Sequence, residues 1–444
     1  MKSSNRKVHI ISLGCVKNTV DSEIIAGGLD AAGIDMVDEP EDANTIIINT
    51  CGFIGDAKQE SVEIILEAAQ LKTDGQLDEL LVAGCLSARY KKELIKEMPE
   101  VDKFFVTEDF RKIFDYIASK PHLADDPDHR RKLLTPRHYA YLKISEGCDN
   151  VCSFCAIPLM RGKQRSRDLD SLVKEAHSLV ARGVKEMMVI AQDSTTYGWD
   201  LRPKRYLHEL LEALDQVEGL AWIRLHYAHP SHFSRKLIPI IKNAKRILPY
   251  LDIPVQHAST SMLTSMKRGL DADGLRRLLL ELRTEIPNLR LRTSVIVGFP
   301  GETEDDFETL LNFLEEIQFD RLGVFMYSEE EDTTGADLED SVPPEVKVQR
   351  MDTVMDLQHS ISFNKNQELI GSELDIIIDS PDPDEEGQML GRTIWDAPEI
   401  DQQVIVSGSY EPGSIIKMKI YDAGAYELYA SSIQDSVIPG DSIK

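Results

Sequence analysis

The sequence predicts an α/β chain built from three successive domains: an open parallel α/β domain, a partial (β/α)6 barrel and a small all-β, OB-like barrel. Three observations predict this. The chain has 444 residues, more than one hydrophobic core accommodates. Short runs rich in Ile, Leu and Val alternate with helically spaced segments through most of the chain. After a long helical pattern at 345–370, short alternating runs separated by Pro, Gly and Asp take over.

Residues 1–120 form the first expected domain. Val8–Leu13, Thr45–Asn49 and Glu79–Ala83 read as strands, with Phe104–Val106 as a fourth, and Asp21–Ala32 and Lys58–Leu71 as helices. Cys15, Cys51 and Cys85 each fall just beyond a strand, as Leu-Gly-Cys, Asn-Thr-Cys and Ala-Gly-Cys. Ligands of open parallel sheets bind outside the carboxyl ends of the strands, so these distant cysteines are expected to converge in one crevice. The bland alternative treats each as a small buried hydrophobe, which does not account for three strand-end placements. Residues 121–137, with Pro121, Pro127 and Pro136, read as a linker.

Residues 138–365 carry the barrel. Its expected strands are Ala140–Ile144, Glu186–Ala191, Ala221–Tyr227, Leu251–Val255, Leu291–Val297 and Arg321–Tyr327. Helical patterns at Leu169–Arg182, Leu207–Val217, Gly274–Ile286 and Glu304–Ile317 separate them, which implies parallel strands, right-handed crossovers and chemistry at the strand C-terminal ends. Glu345–Ile370 reads as a long helix leading out. Residues 371–440 hold the runs Glu373–Ile378, Gln403–Val406, Ser414–Ile420 and Glu427–Ala430 of the β-barrel.

No apolar run approaches the ~20 residues that span a membrane. Val8–Leu13 is shorter than the ~7–15 residues of a signal h-region and reads as a first strand. A cytoplasmic, reducing location with free thiols is therefore expected. The net charge of −26 either repels phosphate backbones and attracts basic partners or serves solubility alone.

All six cysteines fall into two triplets, the second spaced Cys148-x-x-x-Cys152-x-x-Cys155 in the loop after the first barrel strand. Three ligands are too few for a closed structural zinc site, and only distant histidines could supply a fourth. On a cubane of four irons, three thiolates leave one iron open to a substrate or cofactor. The spacing resembles the signature of the radical S-adenosylmethionine superfamily, and Phe154, just before the third cysteine, fits that pattern. The resemblance implies that the open iron takes the amino and carboxylate groups of S-adenosylmethionine, which one electron then cleaves to a radical. It also implies cofactor contacts. Gln192 or Asp193, after the second strand, would accept from the methionine ammonium. The segment from Ser294 to Glu302, with Gly298 and Gly301, would let backbone approach the adenine. The bland reading of that segment is an ordinary βα turn with Thr303 as helix cap.

The chain as a whole resembles the methylthiotransferases of that superfamily, with a three-cysteine N-terminal domain, a radical core and a C-terminal TRAM-type barrel. The resemblance implies two four-iron four-sulfur clusters, an auxiliary one on Cys15, Cys51 and Cys85 and a radical-generating one on Cys148, Cys152 and Cys155. It further implies two molecules of S-adenosylmethionine per reaction and a low-potential flavodoxin or ferredoxin as electron donor. Four segments look like the branch that modifies an aspartate of ribosomal protein S-twelve. They are Leu13 to Asn18 with Val20 to Glu23, Asn49 to Ile54, Pro158 to Gly162, and Asp252 to Ser259. Val16 departs from that pattern, in which proline often follows the first cysteine; the thiolate itself is retained. The alternatives are the branch that modifies a transfer-RNA adenosine and a non-enzymatic, ribosome-associated iron–sulfur protein.

Charge favours the protein substrate. From Gly371 to Lys444 four basic residues face fifteen acidic ones, a net of −11. Such a barrel argues against RNA and suits a lysine- and arginine-rich ribosomal protein. His226, His229, His232 and His257 are expected to line or support a pocket through ring hydrogen bonds. Arg161 and Lys163 read either as carboxylate binders or as surface charges.

Overall fold

The computed structural model describes residues 6–118 and 131–433. The N-terminal unit runs β1 (Lys7–Ser12), α1 (Val16–Ala31), β2 (Asp35–Met36), β3 (Thr45–Thr50), α2 (Gly55–Thr73), β4 (Glu79–Gly84), α3 (Cys85–Glu97), β5 (Lys103–Phe104) and α4 (Phe110–Ala118). Its five strands are all parallel, in the order β2-β1-β3-β4-β5. Every residue of the central strand β3 is buried, as a parallel strand covered by helices on both faces requires.

The middle unit begins with β6 (Tyr139–Lys143), β7 (Ser145–Glu146), α5 (Ile157–Arg161), β8 (Arg165–Ser166), α6 (Leu169–Ala181) and β9 (Glu186–Ile190). It continues with α7 (Leu207–Asp215), β10 (Trp222–Leu225), α8 (Leu237–Asn243), β11 (Ile247–Asp252), α9 (Thr260–Ser265) and α10 (Ala272–Glu285). Then come β12 (Arg290–Val297), α11 (Glu304–Ile317), β13 (Arg321–Met326) and α12 (Pro344–Gln367). Six parallel strands stand in the order β13-β12-β11-β10-β9-β6, an open barrel whose outer face packs on the helices. The fourth strand ends earlier than the sequence suggests, at Asp252. Pro254 has no N–H to donate, so ladder pairing stops before it although Ile253 and Val255 are buried.

Alternation along the strands explains how the first two units join. Ala140 and Leu142 of β6 enter the helix-side core, while Tyr139 and Tyr141 point the other way. With Met188 and Ile190 of β9 they pack on Val20, Ile24 and Ile25 of α1, so the N-terminal unit sits on the concave face of the barrel.

The C-terminal unit is a closed barrel of β14 (Glu373–Pro381), β15 (Gln388–Thr393), β16 (Gln403–Ser407), β17 (Ile415–Ala423) and β18 (Glu427–Ser432). Strand β15 is too polar and glycine-containing to read from sequence. Gly391 is needed there, because a Cβ would stand 2.6 Å from the Ile377 carbonyl. This barrel closes the end of the open barrel where the parallel strands start. Ile377 and Ala397 pack on Trp222, Leu248 and Tyr250. Glu186, the first residue of β9, binds Arg224 and lies 2.7 Å from Arg392. The expected linker is described only from Arg131, whose buried guanidinium joins Glu23 of α1 to Glu175 of α6. Residues 121–130 of that linker and 434–440 of the last expected domain lie outside the described residues. Among the described residues no helix is long and apolar enough to cross a membrane.

Candidate metal centres and cofactor pocket

Both cysteine triplets sit at strand C-terminal ends. Cys15 is the N-cap of α1, Cys51 follows β3 directly, and Cys85 opens α3. Two of the three thiols thus stand at positive helix ends. The Gly-Cys pairs have a steric cause. Gly14 has φ +83°, and a Cβ there would stand 2.7 Å from Cys51 Sγ; Gly84 has φ +98°, and its Cβ would meet the Asn49 side chain at 2.5 Å. Asn18 Nδ2 donates to the carbonyls of Leu13 at 2.8 Å and Thr50 at 3.0 Å, which ties the Cys15 and Cys51 loops together. Asn49 Nδ2 donates to the Asn18 carbonyl at 2.9 Å and to Ser22 Oγ at 3.0 Å.

Cys51, Cys85, Cys148 and Cys155 are costly to ionise where they stand. Burial pushes Cys85 up to about 12, and burial together with the neighbouring Cys15 thiol raises Cys51. In the second triplet burial pushes Cys148 up to about 11 and Cys155 up to about 12. Buried thiols of this kind give up their protons to a metal, which deprotonates coordinating sulfur outright. Among the described residues, the one group of metal-ligating side chains with donor atoms within 4.8 Å of one another is Asp193, His229 and His232.

The loop of the second triplet is held from several sides. Arg268 Nη1 donates to Cys152 Sγ at 3.1 Å and Nη2 to the Pro254 carbonyl at 2.7 Å. Ser153 is tied through its backbone to Met266 and Gly335. Phe154 packs in an apolar cluster with Met262, Met266, Phe299 and Tyr327. The two triplets are neighbours: Cys85 packs on Ala156, Ile157 and Met160, in the segment that follows Cys155.

The expected cofactor contacts divide into three kinds. Gln192 donates to Glu146 at 3.0 Å, while its buried Oε1 has no partner, an acceptor free for an ammonium group. Ser294 is half-buried on the concave side of β12. Asp193 is engaged by Asn150 at 2.9 Å, by His232 at 2.9 Å and by Thr195, so it anchors the cysteine loop; those bonds also hold its carboxyl below the usual range against the effect of burial. Glu302 and Gly298 are engaged within the protein. Glu302 is buried, accepts from the Gly298 amide, pairs with Arg350 at 3.1 Å and lies 3.3 Å from His257, so its oxygens are spent inside the loop. The space a Gly298 Cβ would take is filled by Lys347 Cγ at 2.3 Å, so this glycine admits helix α12 on that side and not a flat ring. Gly301 does face open space, and Thr303 caps α11 in a capping box.

Arg161 is not a surface charge. It is buried and bonds Asn18, Asp21 and Glu146, while Lys143 bonds the same two carboxylates. Lys163 is exposed. The histidines do hold ring hydrogen bonds: His232 with Asp193, His229 with Ser231 and His257 with Ser259. Sequence reasoning missed Lys143, Glu146 and Arg268. Glu146 and Lys143 lie just ahead of Cys148, where a fully buried charged stretch was the available signal.

An open parallel barrel with a three-thiol loop after its first strand defines a radical S-adenosylmethionine protein, here carrying a second thiol domain and a β-barrel. Family profiles agree: "Uncharacterized protein family UPF0004" matches residues 7–106, "Radical SAM superfamily" residues 142–314 and "TRAM domain" residues 370–433. The chain is 47% identical over 432 residues to the ribosomal protein uS12 methylthiotransferase RimO of Flavobacterium psychrophilum, covering 95% of this chain and 97% of that one. It is 46% identical over 439 residues to the protein of the same description from Myxococcus xanthus, covering 97% and 92%. The Aquifex aeolicus protein of that description is 46% identical over 424 residues, covering 95% and 96%. Among solved structures, the radical S-adenosylmethionine methyltransferase TsrM of Kitasatospora setae shares the fold at TM-score 0.54 and 14% identity, over 72% of this chain and 73% of that one. The chain belongs to the RimO family of ribosomal protein uS12 methylthiotransferases.

Proposed function

We propose that this chain replaces a hydrogen on the β-carbon of an aspartate of ribosomal protein uS12 with a methylthio group. The observation that carries this reading is the adjacency of two thiol triplets at the strand ends of two parallel sheets. Cys148, Cys152 and Cys155 would hold a radical-generating four-iron four-sulfur cluster, and Cys15, Cys51 and Cys85 an auxiliary one. When bound, the clusters and S-adenosylmethionine supply the electron, the hydrogen-abstracting radical and the sulfur and methyl groups. The chain's own residues position and shield. Gln192 Oε1 accepts from the cofactor ammonium, Asp193 and Asn150 fix the cysteine loop, and Phe154, Phe299 and Tyr327 exclude water from that side.

Charge supports a basic polypeptide as substrate. Glu329, Glu331, Asp332, Asp337, Glu339 and Asp340 are exposed on the loop that Gly335 ties to Ser153 beside Cys152. A lysine- and arginine-rich protein would be steered to that rim, and a phosphate backbone repelled. The reductant would be a low-potential flavodoxin or ferredoxin, and the place of action the cytoplasm. The test is mass spectrometry of uS12 from a strain lacking this gene, with and without a plasmid-borne copy. The expected result is loss and recovery of one methylthio group. A fully modified uS12 in the deletion strain, with a missing methylthio group on a transfer-RNA adenosine, would assign the other branch of the superfamily.

A further inference from the structure

A buried chain of polar groups runs from the cofactor pocket to the N-terminal thiols. Gln192 donates to Glu146 at 3.0 Å, Arg161 donates to Glu146 at 2.8 Å, and the same guanidinium donates to Asn18 Oδ1, which lies 3.8 Å from Cys85 Sγ. The Arg161 side chain is 3% exposed. Arg161 ends α5, the helix whose Ile157 and Met160 pack on Cys85. A cation belonging to the radical unit is thus delivered to the thiols of the other unit.

An interdomain salt bridge needs no such placement. Asp21 and Glu146 are already served by Lys143, at a short contact and at 2.7 Å. Arg161 is the member of this network whose partner Asn18 lies 3.8 Å from Cys85 Sγ, and it ends the helix that packs on Cys85. We propose that Arg161 is a positioning residue for the N-terminal centre, its guanidinium balancing the negative charge gathered on Cys15, Cys51 and Cys85 and raising the reduction potential of the cluster they hold. The proposal rests on the two-cluster reading above. A fixed positive charge beside a centre that gains an electron favours the reduced form, and it is strongest in a site closed to water.

The test uses the full chain with C148A, C152A and C155A together, so that only the N-terminal centre is reconstituted, and follows its reduction by electron paramagnetic resonance at set potentials. In that background Arg161→Gln is expected to lower the ratio of reduced to oxidised centre at least tenfold at the parent midpoint, about 59 mV for a one-electron couple. Asp21→Asn removes a neighbouring negative charge and is expected to shift the midpoint the opposite way. Arg161→Lys keeps the charge and is expected to keep the midpoint. If Arg161→Gln binds no iron, the opposite-sign shift in Asp21→Asn and its absence in Arg161→Lys still decide the matter. Iron-loaded variants that all share the parent midpoint would overturn the proposal alone. A parent chain that takes up no iron would overturn the two-cluster reading, and this proposal with it.

Discussion

Replacing Glu186 with glutamine should loosen the C-terminal barrel from the rest of the chain. The Glu186 side chain is fully buried, and so is that of Arg224, whose Nε and Nη2 donate to it at 3.0 and 2.9 Å. Arg392 is 2.7 Å away on the other oxygen. Removing one partner of a buried ion pair costs about 3–5 kcal/mol, because the remaining charge is left uncompensated. Here the two cations differ. Arg392 keeps Asp379 at 2.8 and 2.9 Å, so its loss is partial. Arg224 keeps only the Ile394 carbonyl at 2.9 Å and the Tyr250 ring at 4.7 Å. The lower end of the range, about 3 kcal/mol, follows, which at 1.36 kcal/mol per tenfold is about 150-fold in the opening equilibrium. Hydrogen exchange of amides in β14 and β15 should accelerate by that order. Trp222 and Trp395, both at this junction, should shift their emission to the red at lower urea. The double variant E186Q/R224M should recover part of the loss, since it no longer buries a lone cation. Exchange in β14 and β15 within threefold of the unsubstituted protein would refute the reasoning.

Three further outcomes are expected. Asp320 is buried among Lys365, Arg283 and Arg290, which together hold its carboxyl down to about 2 against the opposing effect of burial. Its contribution, about 2 kcal/mol by linkage, is fully present above the ordinary carboxylate value and is lost as pH falls through about 2. The stability gap between the unsubstituted chain and D320N, measured by urea titration, should therefore close between pH 5 and pH 2. Gly298→Ala should lower the melting temperature more than Gly301→Ala. Both sit at positive φ, which costs an L-residue about 1–2 kcal/mol, but only at residue 298 would the new methyl meet Lys347; equal shifts would contradict the contact. Cys152→Ala should cut iron after anaerobic reconstitution from about eight to about four per chain. An unchanged iron count would remove Cys152 from the ligand set.

Local pattern carried much of this protein. Parallel strands announce themselves as short branched-apolar runs, because burial on both faces favours apolar side chains; Ile46, Ile47 and Ile48 of β3 show this, with polar residues only at the strand's ends. The cysteines were legible for a related reason: each follows such a run, and a strand end is where an α/β sheet opens to ligands. The weakest readings fell where pattern is faint, as in the two-residue β5 and the polar β15, and no local pattern shows that Lys347 packs on Gly298.

Folding alone decided which charges are structural and which serve the site. Arg161 meets Asn18 across 143 residues, Lys143 meets Asp21 across 122, and Arg131 meets Glu23 across 108. Helix α1 is buried on nearly every side, including Asn18, Asp21 and Glu23, whose partners no local pattern names. Periodicity tells which residues share a face; it is silent on what that face meets. The cysteine triplets and the succession of strands and helices were therefore legible along the chain, whereas the adjacency of the two triplets, and the buried Arg161 that joins Glu146 to Asn18 beside Cys85, exist only once distant segments are packed together and water is removed from between them.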